Sequence, residues 1–247
     1  MRFIKIIFAS CFFLFAAFIN TANAQLSVHD SLLYTHAVKN VVDVYHQNLT
    51  DQSGIFNGSQ YEGYKVSFND GHPYYKNDAL EKGNIIYDHV AYENVGMLYD
   101  LVRDLIVVQD STHRIQLVNE RINEFNLYGD RFIRIEKKES RSALIATGFY
   151  NVMYVGNIGL YKKVVKRIRE KISNTNELTA LFEVTNYYYI KKDNVFYTID
   201  KKKDVLRLFK SKQKEIERYI DEEQLNFRKD KDNMLTKVVT YYDQFTK

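Results

Sequence analysis

One cysteine, one proline and no tryptophan occur in the 247 residues of this chain. The cysteine, Cys11, falls inside the apolar run "IIFASCFFLFAAFI", which follows "MRFIK" and precedes the small-residue pattern Ala22-Asn23-Ala24. Positive charges, an apolar core and small residues are the three parts of a secretory signal. Residues 1–24 are assigned to it, with cleavage expected before Gln25. The run is too short and wrongly flanked for a stable membrane span. With most of the apolar segment after Cys11, a lipid-attachment signal is discounted. The mature chain, residues 25–247, then has no cysteine, which excludes disulfides, thiol nucleophiles and thiolate metal sites in a compartment that permits disulfides. Its stability has to come from packing, for which its length suffices as one domain. A periplasmic or secreted location is expected.

Chemical signatures are equally scarce. There is no His-Glu-x-x-His, no Gly-x-Ser-x-Gly and no phosphate-cradling glycine loop. His29, His36 and Asp43 recur every seven residues, about 10 Å per step on a helix, which is too far apart for one metal ion. His72, His89 and His113 fit no ligand spacing. No metal, cofactor or catalytic residue is expected. Carboxylates with a histidine from residues 72–104, namely His72, His89, Glu93 and Asp100, leave open a hydrolase acting on an envelope polymer, if they converge in a cleft.

Charge is unevenly placed. Residues 25–135 carry 9 lysines and arginines against 15 aspartates and glutamates, and residues 136–247 carry 24 against 16. The basic C-terminal half is suited to an anionic surface such as lipid headgroups or acidic glycans, unless the two halves neutralise each other. Nucleic acid is not expected, since no recognition motif accompanies the charge.

The patterning predicts an α+β fold: an N-terminal amphipathic helix, an antiparallel meander sheet and C-terminal helices packed on the sheet. Leu33, Ala37, Val41, Val44 and Tyr45 share one side at helical spacing, giving a helix over 28–49. Residues 50–84 form a loop-rich connector with five of the ten glycines and the only proline, including the turn dipeptides Asn57-Gly58 and Asp70-Gly71. Residues 84–200 form a sheet of about eight to ten strands, because short β-branched and aromatic runs alternate with polar turns. The clearest hairpin is "YYYI", a four-residue turn "KKDN", then "VFYTI". The stretch "YENVGMLYDLVRDLIVV" reads as strands 95–101 and 105–109 around "VRD", with Arg103 and Asp104 at the turn. Residues 201–247 form a tail of three short helices, with Ser211 and Asp230 as N-caps.

Tyrosine is the abundant component, 20 residues beside 16 phenylalanines. In strands it is an ordinary sheet residue. In the connector no strand demands it, so Tyr61, Tyr64, Tyr74 and Tyr75, with His72, are the candidate ligand-binding residues, each tyrosine offering a flat ring and a polar tip. The lack of tryptophan argues against a carbohydrate-stacking platform.

The phrases "IFNGSQYEGY", "GHPYY", "GNIIYDHVAYENVGMLYDLVRDLIVV" and "YYIKKDNVFYTIDKKKDVLRLFKSKQKEIERYIDEEQLNF" together resemble a family of exported bacterial proteins with no assigned activity. The resemblance covers nearly the whole mature chain and implies one continuous unit, without catalytic residues to carry over. That family more often has a basic residue after the asparagine-glycine segment, where this chain has Ser59-Gln60. The expected function is that of an exported, non-catalytic envelope protein that binds an apolar ligand or a protein partner, with a structural subunit of an envelope assembly as a further alternative.

Overall fold

The computed structural model describes residues 33–34, 37–38, 41, 54–65, 68, 71–137, 145–172 and 178–246. Residues from Asp51 to Lys247 form one compact unit. Its framework is an antiparallel sheet of β1 (Ser59–Gln60), β2 (Glu81–Tyr87), β3 (Val90–Asp100), β4 (Leu105–Gln109), β5 (Arg114–Gln116), β6 (Ile122–Leu127), β7 (Asp130–Ile135), β8 (Gly148–Val155), β9 (Gly159–Ile172), β10 (Leu178–Lys192) and β11 (Val195–Thr198). The order β1-β5-β4-β3-β2-β6-β7-β8-β9-β10-β11 is two meanders joined where β2 meets β6.

Turn chemistry sets the registers. Asp88-His89, Tyr128-Gly129 and Asp193-Asn194 all have positive φ at both positions, the geometry of type I′ turns, whose twist matches that of the flanking strands. They close the pairs Tyr87↔Val90, Leu127↔Asp130 and Lys192↔Val195. Aspartate, asparagine and glycine tolerate the left-handed region, which is why such residues recur there.

The sheet curls. Four strands separate β3 from β9 in the sheet order, yet Lys166 N–H donates to the Leu101 carbonyl at 3.1 Å. Beyond Met97, the partner of the first residue of β2, the connector lies beside β3: Tyr75 N–H donates to Tyr99 O at 2.8 Å and Leu101 N–H to Pro73 O at 3.0 Å. Inside the curl, Tyr99 meets Phe125, Phe132 and Phe149 edge-on at centroid distances of 5.4, 5.3 and 6.0 Å. Tyr75 adds a fifth ring at 5.2 Å from Phe132. Edge-to-face contacts of this kind add roughly 0.5–1.5 kcal/mol each beyond area burial.

The other meander carries the helices α1 (Lys202–Leu208), α2 (Gln213–Glu222) and α3 (Lys231–Asp243). Helices this short cannot stand alone in water. They are held by burying Val205, Phe209, Ile216, Ile220, Leu235, Val238 and Val239 against Ile158 of the β8–β9 turn and Leu160, Tyr188 and Ile190 of the sheet, each side chain worth roughly 1.5–3 kcal/mol. Asp230 caps α3 by accepting from Asn233 N–H at 3.0 Å.

Several expectations are corrected. The α+β fold led by a helix gives way to a mostly β unit, an eleven-stranded meander-like sheet with three short C-terminal helices. Most of the range 28–49, where the N-terminal helix is expected, lies outside the described residues. Leu33, Tyr34, Val38 and Val41 are exposed, whereas the helical stripe placed Leu33 and Val41 on a buried side. The sheet begins inside the expected connector, with β1 at Ser59 and β2 at Glu81, since backbone pairing overrides loop-like composition. The last hairpin turns in two residues, because Lys192 and Val195 pair directly. Ser211 sits in a 3-10 turn, and Lys212 takes the N-cap position of α2. The hairpin around "VRD" forms as expected, with Asp100 paired to Leu105.

Candidate functional site

Asp100 ends β3, fully buried, and its carboxylate organises the turn that follows. Oδ1 accepts from Val102 N–H at 2.9 Å and Arg103 N–H at 3.0 Å. The connector supplies the remaining donors: Tyr61 OH reaches Oδ2 at 2.9 Å and Tyr64 OH reaches it at 2.8 Å. Tyr74 joins through a hydroxyl contact of 3.3 Å with Tyr61. The Arg103 guanidinium lies 4.3 Å from the Tyr64 ring centroid and 5.4 Å from that of Tyr61, while donating to Glu62 O at 2.6 Å. Lys166 holds the loop from the other side, donating to His72 O and Tyr74 O, both at 2.7 Å.

Four of the five candidate residues are thus brought together, facing inward. Tyr61 and Tyr74 are only 6% and 8% exposed. Burial and then the bond to Tyr74 push the Tyr61 phenol well above its ordinary range; for Tyr64 the second cause is the bond to Asp100. His72 stacks on Tyr74 with centroids 6.1 Å apart, and burial followed by the Lys166 charge lowers its pKa. Its buried Nδ1 has no hydrogen-bond partner among the described residues. Tyr75 departs from the group: its ring enters the aromatic core and its hydroxyl donates to Asp130 at 2.8 Å. His89 and Glu93 are exposed near the opposite end of β3, Glu93 being seven residues or about 23 Å along the strand from Asp100. His89 and Glu93 thus do not converge with Asp100.

The tyrosine-to-aspartate bond recurs. Tyr99 OH donates to Asp104 at 2.6 Å, Tyr154 OH to Asp243 at 2.9 Å, and Tyr188 OH to Asp232. Lysines complete three of these groups: Lys163 with Asp104 at 2.7 Å, Lys76 with Asp130 and Lys162 with Asp232, both at 2.6 Å. Sequence reasoning missed all of this, because the bonded partners lie up to 89 residues apart. The only signal was the joint abundance of tyrosine and aspartate. The Asp130 and Asp232 groups flank a polar cleft of about 460 Å³, where the carboxylates are already engaged by phenol and ammonium donors.

A different kind of site lies at the sheet's last edge. β1, at the other margin, has two residues, a short edge of the sort that blunts unwanted pairing. β11 has four, and its two-residue turn makes Lys192/Val195 and Ile190/Tyr197 the mutually bonded pairs. The backbone groups of Phe196 and Thr198 therefore point outward. Against this edge runs a groove of about 490 Å³, lined by Val195–Ile199 together with Asp204, Arg207 and Leu208 of α1. Among the described residues no strand pairs with this side of β11, and such an edge with a partly apolar groove beside it can accept an extended chain through main-chain hydrogen bonds and seat alternate side chains. Comparison of the chain with family models, with curated proteins and with solved structures gives no match in any of the three.

Proposed function

We propose that the protein is an exported, non-catalytic envelope protein that binds a protein partner by accepting an extended segment of it as an added strand on β11. The observation that carries this reading is the outward-facing edge of Phe196 and Thr198 beside the α1 groove. The apolar-ligand version has less support, because the concave side of the curled sheet is already filled by Tyr99, Phe125, Phe132 and Phe149. The hydrolase version has less still: Asp100 is saturated by two phenols and two amides, and His89 and Glu93 stand away from it.

The test is a nuclear magnetic resonance titration with three capped peptides of about ten residues, alternating Glu-Val, Thr-Val and Lys-Val, a length that covers the edge and its flanks. Binding by at least one peptide is expected to shift the amides of Phe196 and Thr198 and slow their exchange. The Thr198→Pro variant, which removes an outward donor while sparing the β10 ladder, is expected to lose that response. Amides of β11 that respond to none of the three would overturn the reading.

A further inference from the structure

Just past β11 the chain enters a second groove, of about 640 Å³, lined by Asp200–Lys203 on one side and Leu225–Arg228 on the other. Its lining adjoins that of the edge groove in sequence: Ile199 belongs to the first and Asp200 to the second. Lys201, Lys202, Lys203 and Arg228 bring four cations to it. None of the four side chains forms an ion pair among the described residues, whereas the nearby carboxylate of Asp204 is committed to Arg207 at 2.9 Å and to Lys201 N–H at 2.8 Å. Lys231 adds a fixed charge at the junction, its ammonium donating to Ile199 O at 2.8 Å and lying 4.7 Å from the Phe227 ring centroid. Leu225 and Phe227 give the groove half-buried apolar ground between these charges.

Four cations without ion-pair partners among the described residues outnumber the one carboxylate in the lining, Asp200, which faces the Lys231 charge, and that excess favours an anionic occupant. The concavity suits a discrete chain better than a flat bilayer, and the interleaved apolar residues suit side chains that alternate in character. From this we infer that the segment added to β11 is acidic: its strand part pairs with Phe196 and Thr198, and its acidic residues run on into the Lys201–Lys203/Arg228 groove. The inference rests on the strand-addition reading and names the chemistry of the partner.

The same three peptides separate the two ideas. The Glu-Val peptide is expected to bind about tenfold tighter than Thr-Val, in keeping with a few exposed ion pairs, and to lose that margin at high salt. The K202E/K203E/R228E variant is expected to bring Glu-Val down to the Thr-Val affinity. Its new glutamates at Lys202 and Lys203 lie in the first turn of α1, where acidic residues are favourable, and unchanged thermal unfolding checks that the fold is kept. Binding of Thr-Val or Lys-Val at β11 as tightly as Glu-Val would overturn the acidic partner while leaving strand addition standing. Response to no peptide removes both. Adhesion to phosphatidylglycerol vesicles without Glu-Val binding, lost in the same variant, would overturn the inference in favour of a lipid surface.

Discussion

Two buried aspartates do the same work in two parts of the sheet by different routes. Asp100 caps the β3–β4 turn from the strand that enters it, and is joined by Tyr61 and Tyr64 of the connector. Asp243 stands at the end of α3 and reaches the β8–β9 turn from a distance of 85 residues. It accepts from Ile158 N–H at 3.2 Å, Asn157 N–H at 3.3 Å and Tyr154 OH at 2.9 Å. In the first case a turn recruits a loop onto the sheet; in the second a helix is recruited by a turn. The described residues include no cysteine, and phenol-to-carboxylate bonds fasten a loop in one place and a helix in the other.

The comparison gives graded expectations. Asp100→Ala would leave two phenols and two amides without an acceptor in a fully buried place, and is expected to cost about 3–5 kcal/mol in urea unfolding. Asp243→Ala removes an acceptor with longer backbone contacts, and about 2–3 kcal/mol is expected. If Asp243 proved the more costly, the ranking of the two fastenings would be inverted. Removing single hydroxyls should be milder. Tyr64→Phe and Tyr154→Phe are each expected to lose about 1 kcal/mol by the same measurement, and proteolysis after Tyr64→Phe should accelerate within the connector and leave the α2–α3 region as before. Equal acceleration in both regions would mean that the two fastenings are not separate.

Much of the architecture was legible in the sequence where local chemistry decides it. The hairpin around "VRD" and the three C-terminal helices follow from spacing and periodicity, whereas the last hairpin turns in two residues and not in the four that "KKDN" suggested. The candidate site was half legible. Three of the four connector tyrosines, Tyr61, Tyr64 and Tyr74, do gather at one place, but no local pattern says that Asp100, 36 to 39 residues away, draws the hydroxyls of Tyr61 and Tyr64 inward. Composition alone cannot separate a tyrosine that offers its ring to a ligand from one that spends its hydroxyl on a buried carboxylate. The curl of the sheet was hidden for a similar reason: it is sealed by Lys166 and Leu101, which no periodicity connects. The β11 edge was visible as a strand, but its openness depends on which element ends the sheet.

Tyrosine hydroxyls are structural donors in this protein, and their ionisation tests that role most directly. Burial, followed by bonds or proximity to carboxylates and, for Tyr61, first by the bond to Tyr74, raises the pKa of Tyr61, Tyr64, Tyr75, Tyr99 and Tyr188 above the ordinary phenol range. Each is then raised in the folded state relative to the unfolded one, so the stabilisation is fully present below about pH 10 and is lost as pH rises through the folded values. In an ultraviolet titration of phenolate absorbance followed alongside circular dichroism, these five are expected to stay protonated past about pH 11 and to ionise together with loss of the fold. Complete tyrosine ionisation near pH 10 with the sheet intact would contradict the account.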